Sequence, residues 1–487
     1  MLEMNGQFDE RLPLYEKVAG KISFLIEKGT LRPGDKVPSI RNLSKQMQVS
    51  INTVKEAYSL LEDRRLLEAR PQSGYYVRAR LPELSAEPVV DRPDINPAEV
   101  SLSKVYQEVM MDFHDQNLLQ LGIAVPNIDL LPVEKLHRML AREIRRFPIQ
   151  AVSYDLPPGN LRLRKQVAQR LLLSGCTLSP DQIVITSGCV EAVVLSLRTL
   201  CKPGDAVAIE TPVYFNFLQM IEDLGLKALE IPASPRGGIS LEALEYALER
   251  NAEEVKACIV LSNFNNPLGS KMSDEDKVRL VQLLDGYQVP LIEDDIYGDL
   301  AFGLQRPRTL YSYAQEMAAA DQVILCSSFS KSLSRDLRIG WIVPGRFTAR
   351  ITKLKLVTQL ASSRTTQTAL QMFFEEGSFD RYLRQKRQQL SDQCRQLQQL
   401  IREFFPQALS CSQPKGGLAL WLELPETIDT VALYNRARKE GISLTPGRLF
   451  TSQQRYNNCL RLSFAQPWNE DRVAALKRVA ELVNNSS

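Results

Sequence analysis

Apolar positions in the first eighty residues recur at helical spacing, and polar breaks fall between the runs. Leu14, Val18, Ile22 and Leu25 mark one amphipathic helix. The turn chemistry of Leu31-Arg32-Pro33-Gly34-Asp35 stops it. Ser39 caps a second helix that turns Ile40, Leu43 and Met47 inward. A short turn at Gln48-Val49 leads to a second cap, Ser50, and a third helix from Ile51 to about Asp63. Val54, Ala57, Tyr58 and Leu61 share the inner face of that helix, which leaves Asn52, Thr53, Lys55 and Glu56 outside. Leu66–Arg70 and Tyr75–Arg78 flank Pro71-Gln72-Ser73-Gly74 and predict a two-stranded wing. From Arg80 to about Val100 four prolines (Pro82, Pro88, Pro93, Pro97) and no aromatic residue predict an extended connector. A helix is expected over Leu102–Asp115.

Beyond residue 117 the pattern changes to short apolar runs alternating with amphipathic segments. Ile183–Thr186, Val207–Glu210, Ile259–Ser262, Leu291–Asp294 and Val323–Cys326 predict strands. Helices are expected near 190–200, 214–224, 241–250 and 274–287. That alternation predicts an α/β domain with a mostly parallel sheet, in which ligands bind beyond the strand C-termini. After Gly345 a long charged helical pattern runs through Arg384 to Leu400. A strand at Leu418–Leu422, a helix near 430–439, the strand carrying Arg461 and a final helix to Val483 read as a small C-terminal α/β domain. The expected division is a winged helix-turn-helix over 10–79, a linker over 80–116 and a body over 117–485.

Charge separates these parts. Residues 1–80 carry 14 Lys and Arg against 10 Asp and Glu, and the remainder carries 46 against 47. Lys28, Arg32, Lys36, Arg41, Lys45 and Lys55 lie in a stretch whose one acid is Asp35. A basic patch on a neutral body suits nucleic acid better than a membrane or an acidic substrate, although charge alone reads first as a solvated surface face. The eight cysteines, all at or beyond Cys176, form no Cys-x-x-Cys pair and predict a reduced, cytoplasmic protein. Two histidines, His114 and His137, argue against a His-rich metal site or a Ser-His-Asp hydrolase, and no metal is expected. No apolar run approaches the roughly 18 residues of a membrane helix. Met1–Glu10, with three acids and no basic residue, is unlike a secretory or transit segment.

Two helices joined by a tight turn can lay the second in a major groove, its N-terminal residues toward bases and phosphates. Leu-x-Pro-Gly-Asp-x-x-Pro-Ser-x-Arg, Val-Ser-x-Asn-Thr-Val and Ser-Gly-Tyr-Tyr-Val resemble the winged helix-turn-helix of GntR-type regulators over Leu14–Val77. The resemblance implies contacts to double-stranded DNA from Ser39, Arg41, Ser50, Asn52, Thr53, Lys55 and Gly74. Ile51 stands where such helices often carry arginine.

The candidate chemistry of the body falls at strand ends. Ser187-Gly188-Cys189 ends one strand and opens a helix, where free N–H groups suit a phosphate. Tyr214, Asn266, Asp294 with Tyr297, and Ser328, Ser330 and Lys331 follow four others, and Arg338 lies beyond them. Singly, Tyr214 reads as a core aromatic, Asn266 as a turn residue and Asp294 as a helix cap. As an ordered set they point to a ligand. The stretch from about 120 to 485 resembles a fold-type I aminotransferase that uses pyridoxal 5'-phosphate. The resemblance implies that Lys331 forms the covalent link to the cofactor, and that Asp294 pairs with its ring nitrogen. Asn266 and Tyr297 would hold the phenolic oxygen, and Tyr214 would stack on the ring. Gly188, Cys189, Ser328, Ser330 and Arg338 would bind the phosphate, with Tyr154 reaching a phosphate across a dimer interface. Arg461 would grip a substrate or effector carboxylate. Val190, Leu268 and Ile296 depart from the usual residues of these motifs.

A GntR-like head on an aminotransferase-like body resembles the MocR-type regulators over nearly the whole chain. It implies a homodimeric, cofactor-dependent transcriptional regulator that senses a small amine, an amino acid or pyridoxal phosphate itself. The alternative is a working aminotransferase with an accessory DNA-binding head, since Asp294, Lys331 and Arg461 are all present. A pure interaction protein explains the head but not the residues at the strand ends.

Overall fold

A computed structural model describes residues 13–27, 30–31, 34–63, 66–70, 74–77, 96–100, 104–127, 131–146, 154–303, 305–405 and 410–484. The chain divides into two units, 1–83 and 84–487. Met1–Glu10, Arg32, Pro33, the wing tip 71–73 and the linker prolines Pro82, Pro88 and Pro93 lie outside the described residues.

In the head, helices Leu14–Glu27, Ile40–Met47 and Ile51–Asp63 precede the hairpin Leu67–Arg70 and Gly74–Val77. Ser39 and Ser50 are the expected caps, accepting the N–H of Asn42 at 3.3 Å and of Thr53 at 3.0 Å. Gln48, at φ +53°, makes the turn between the second and third helices. Val54, Ala57, Tyr58 and Leu61 are fully buried, with Val18, Ile22, Leu43, Leu67 and Val77 around them. Leu14, expected inside, is exposed at the first helical position, where Ala19 joins Val18 and Ile22 in the core instead. Residues 34–37 pair with the wing, with Val37 N donating to Tyr75 O at 3.0 Å and Val77 N to Asp35 O at 2.8 Å.

Tyr58 ties these layers together. Its ring meets Tyr75 edge-on at 4.9 Å, and its hydroxyl donates to the Pro38 carbonyl at 2.6 Å. Tyr58→Phe keeps the ring and orphans that carbonyl. The head should lose about 1–2 kcal/mol in urea unfolding of the purified protein. An unchanged midpoint would mean that the hydroxyl contributes nothing.

The body is built on a nine-stranded sheet. Lys227–Ser234, Ala206–Thr211, Val255–Val260, Leu291–Asp294 and Val323–Ser328 run parallel in that spatial order. Four of these were expected, the third centred a few residues earlier than its apolar run suggested; Lys227–Ser234 was not, and the fifth expected strand, Val184–Thr186, stands at the far end of the sheet. Gly340–Val343 was not expected. It runs antiparallel between Val323–Ser328 and Val184–Thr186. The connection from Ser328 holds no full crossover helix, so the chain can only reverse. Ala98–Glu99 adds an antiparallel edge to Lys227–Ala228.

A second sheet orders Ser410–Cys411, Ala419–Glu423, Cys459–Ser463 and Thr445–Pro446, all antiparallel, against helices Thr430–Lys439 and Glu470–Asn484. The long helical pattern after Gly345 is three helices, Thr348–Thr358, Arg364–Glu375 and Phe379–Phe404. Ser363 caps the second, and Gly377 at φ +69° separates the last two.

The segment entering the body belongs to it. Helix Lys104–Asp112 ends on a buried carboxylate that accepts from Tyr434 Oη at 2.7 Å, Arg438 Nε at 2.8 Å and Ser443 Oγ at 3.2 Å. Leu119–Gln120 then pairs with Ile442–Ser443. Among the described residues no helix is long and apolar enough to cross a membrane.

Candidate functional site

Strands Val184–Thr186, Ala206–Thr211, Val255–Val260, Leu291–Asp294 and Val323–Ser328 deliver their C-terminal ends to one recess of about 160 Å³. Cys189, Tyr214, Asp294, Tyr297, Ser328, Ser330, Lys331 and Arg338 line it together. These are eight of the residues expected there. Arg335, which the sequence reading did not single out, joins them from one turn before Arg338.

Strand alternation decides which acid of Glu293-Asp294-Asp295 faces the recess. Glu293 points away and accepts the N–H groups of Leu310 and Tyr311 at 2.8 and 2.9 Å. Asp295 accepts Asn263 Nδ2 at 3.0 Å and pairs with Arg306. Asp294 alone turns inward, and burial pushes its carboxyl up to about 6. Its Oδ1 accepts the Ile296 N–H at 3.0 Å and the Cys189 thiol at 3.2 Å. The Cys189 side chain thus meets the carboxylate rather than a phosphate, and only its backbone N–H remains for the expected anion. Burial, and then Asp294, hold the thiol well above its ordinary range, so it stays a donor.

Lys331 Nζ donates to the Ala124 carbonyl at 2.9 Å. Burial, followed by the fields of Arg461 and Arg335, brings it down to about 8. Three cations of the recess wall, Lys331, Arg335 and Arg338, face one carboxylate, Asp294. The recess therefore carries a net positive charge.

Gly188 makes the anion end possible. At φ +96° it caps helix Cys189–Leu200 with no side chain, and a Cβ there would stand 2.6 Å from Arg338 Nη2. Arg338 donates to the Ser187 carbonyl at 2.7 Å, directly beside that helix start. Ser328 Oγ accepts the Ser330 N–H at 3.3 Å and so shapes the same corner.

Arg461 is buried on the strand Cys459–Ser463. Its Nη1 donates to Asn266 Oδ1 at 3.2 Å, and Asn266 Nδ2 donates to Tyr297 Oη at 3.4 Å. Its Nε donates to the Gly122 carbonyl at 3.1 Å. Phe215 and Phe450 lie 5.4 and 5.1 Å from the guanidinium. Burial lowers it to about 10, and among the described residues no carboxylate pairs with it. Gly122 has no room for a side chain, since a Cβ would lie 2.9 Å from the Thr445 nitrogen.

Tyr154 is not brought to the recess of its own chain; it is 74% exposed. A second lysine was missed altogether. Lys386 is buried on helix Phe379–Phe404, donating to Tyr382 Oη at 2.9 Å and to the Ser332 carbonyl at 3.3 Å. Burial and then Lys331 lower it to about 7. The Tyr382/Lys386 spacing of four was the available signal, masked by the charged residues around it.

In the head, Ser39, Arg41, Ser50, Asn52, Lys55 and Gly74 are exposed and Thr53 is half-buried. Ser50 Oγ also meets Thr53 Oγ1 at 2.9 Å, so both hydroxyls serve the helix start. Exposed Ile51 stands beside them and adds an apolar contact surface that the charge pattern did not flag.

Comparison with known proteins agrees with both halves. The family described as "Aminotransferase class I and II" matches residues 150–479, and "Bacterial regulatory proteins, gntR family" matches 14–77. The uncharacterized HTH-type transcriptional regulator YjiR of Escherichia coli K12 is 37% identical over 469 residues, covering 96% of this chain and 98% of its own. YdcR of the same organism, also an uncharacterized HTH-type transcriptional regulator, is 36% identical with the same coverage. Among solved structures, the α-aminoadipate aminotransferase LysN of Thermus thermophilus, complexed with N-(5'-phosphopyridoxyl)-L-leucine, superposes with a TM-score of 0.72. It is 26% identical, covering 79% of this chain and 95% of its own.

Proposed function

The chain belongs to the aminotransferase class I and II family and, with its GntR head, to the MocR type of DNA-binding transcriptional regulators; from that premise we propose that its body binds pyridoxal 5'-phosphate and senses a small carboxylated amine. The observation that carries this reading is that Lys331 and Asp294 line one cation-rich recess to which buried Arg461 is linked through Asn266 and Tyr297. When bound, pyridoxal phosphate supplies an aldehyde, for which Lys331 and an amine ligand compete, and an electron-accepting ring.

The residues present fit that group. Asp294 offers a carboxylate free on its recess side. Asn266 and Tyr297 offer a polar pair beside it, and Tyr214 offers a flat face. The start of helix Cys189–Leu200, with Arg338, Ser328 and Ser330, offers donors for a phosphate. Lys331 is the amine within the same wall. Arg461, buried without an acid, suits an α-carboxylate through its planar fork. Exposed Tyr154 and Leu156 support a homodimer in which Tyr154 completes the partner's site. All eight cysteines are buried and unpaired, in keeping with a cytoplasmic setting.

The test is the visible absorbance of the cofactor-loaded protein while amino acids are added. A lasting spectral shift supports a sensor. Conversion of the cofactor to its amine form with release of a keto acid replaces that reading by a working aminotransferase. No absorbance change with any amine sinks both.

For the head, Arg41→Ala with Lys55→Ala should weaken binding to a DNA fragment from the protein's own upstream region. The slope of log affinity against log salt should fall by about 1.8, two phosphate contacts at about 0.9 each. Cofactor uptake should not change. An unaltered slope would remove both residues from the interface.

A further inference from the structure

Among the described residues, Asp294 accepts two donors on one oxygen and none on the other. The Ile296 N–H lies 3.0 Å and the Cys189 thiol 3.2 Å from Oδ1. No donor among the described residues reaches Oδ2, and the residue lines the recess. The Ile296 bond is backbone geometry that any residue at position 296 provides, proline excepted. The Cys189 bond depends on the side chain, which is buried at the first position of helix Cys189–Leu200.

From this geometry we propose that Cys189 is a positioning residue: its S–H fixes the Asp294 carboxylate with Oδ2 turned to the recess and keeps it ionised to receive a ring N–H. The inference rests on the cofactor reading above and deepens it. A carboxylate buried this completely favours its neutral form, and a neutral carboxyl with its proton on Oδ2 would repel a protonated ring nitrogen. Donation from the thiol opposes that tendency. It also holds the plane of the carboxylate, because turning the group out of that plane would break both bonds.

The thiol suits this place because its proton stays with it. A cysteine at a helix start tends toward the thiolate, since the N-terminal end of the helix favours negative charge. Here burial and the neighbouring carboxylate act in the opposite direction and prevail. A thiolate would face Asp294 as a second anion, whereas the thiol faces it as a donor. Serine provides the same donor with a shorter reach, and alanine provides none.

The experiment compares Cys189→Ala and Cys189→Ser with the unaltered full-length protein, each titrated with pyridoxal phosphate from pH 5 to 9. Cys189→Ala should bind the cofactor on the order of tenfold more weakly at neutral pH. The acid limb of its affinity profile, set by Asp294, should move upward by about one pH unit. Cys189→Ser should restore both. A space-filling role for Cys189 would weaken binding in both variants and leave the acid limb in place. That result, or unchanged affinity in Cys189→Ala, overturns the inference while the cofactor reading stands. If the unaltered protein takes up no pyridoxal phosphate, the cofactor reading fails instead, and the inference with it.

Discussion

Lys331→Ala should abolish the borohydride-reducible, covalent attachment of pyridoxal phosphate, and the loss should be complete rather than graded. Condensation with an aldehyde needs a neutral primary amine within reach, and Lys331 is the lysine that lines the recess. Lys386 is the other buried lysine nearby, but its Nζ is committed to Tyr382 and to the Ser332 carbonyl. Mass spectrometry after borohydride reduction reads the outcome. A reduced adduct that persists in Lys331→Ala would move the assignment to another amine.

The same lysine predicts a pH dependence. Lys331 falls to about 8 because burial and its arginine neighbours disfavour the ammonium. Below that value the amine is protonated and lacks a free electron pair. The rate of attachment should therefore rise about tenfold per pH unit up to roughly 8 and then level off. An unperturbed lysine would go on rising to about 10.4. Asp294, at about 6, should set the other limit: it is ionised above that pH and would lose its hold on a protonated ring below it.

Arg461→Gln should remove the preference for ligands that carry a carboxylate. Truncating one partner of a buried charged pair costs roughly 2–5 kcal/mol, on the order of 30-fold to several thousandfold in affinity. Norvaline and butylamine differ by that carboxylate alone. Calorimetry should find norvaline strongly preferred by the unaltered protein and the two nearly equal for Arg461→Gln. Arg461→Lys keeps the charge and loses the fork, so it should fall between them. If norvaline binds Arg461→Gln as before, the carboxylate is held elsewhere.

Much of this site was legible in the sequence because the chemistry follows strand periodicity. Asp294 ends a four-residue apolar-to-acid run, and alternation along Leu291–Asp294 alone separates it from Glu293. Lys331 and Asn266 stand after comparable runs. In the head, Val54, Ala57, Tyr58 and Leu61 gave the buried face directly, because a helix in a small three-helix core has one inward stripe. What escaped notice depends on long-range closure. Gly340–Val343 is too near its predecessor to look like a separate strand. The Cys189–Asp294 bond spans 105 positions and joins two residues read separately as phosphate and ring contacts. Gly122 and Ala124 carry no side-chain chemistry, and only the folded chain shows that their carbonyls meet Arg461 and Lys331.

Those two carbonyls engage the guanidinium of Arg461 and the amine of Lys331. Gly122 and Ala124 follow directly on the strand Leu119–Gln120, which pairs with Ile442–Ser443. Any ligand that draws the guanidinium or the amine away leaves a backbone oxygen to find another donor, and an unmatched buried carbonyl costs about 1–3 kcal/mol. The backbone is therefore a built-in competitor, always present at the same local concentration.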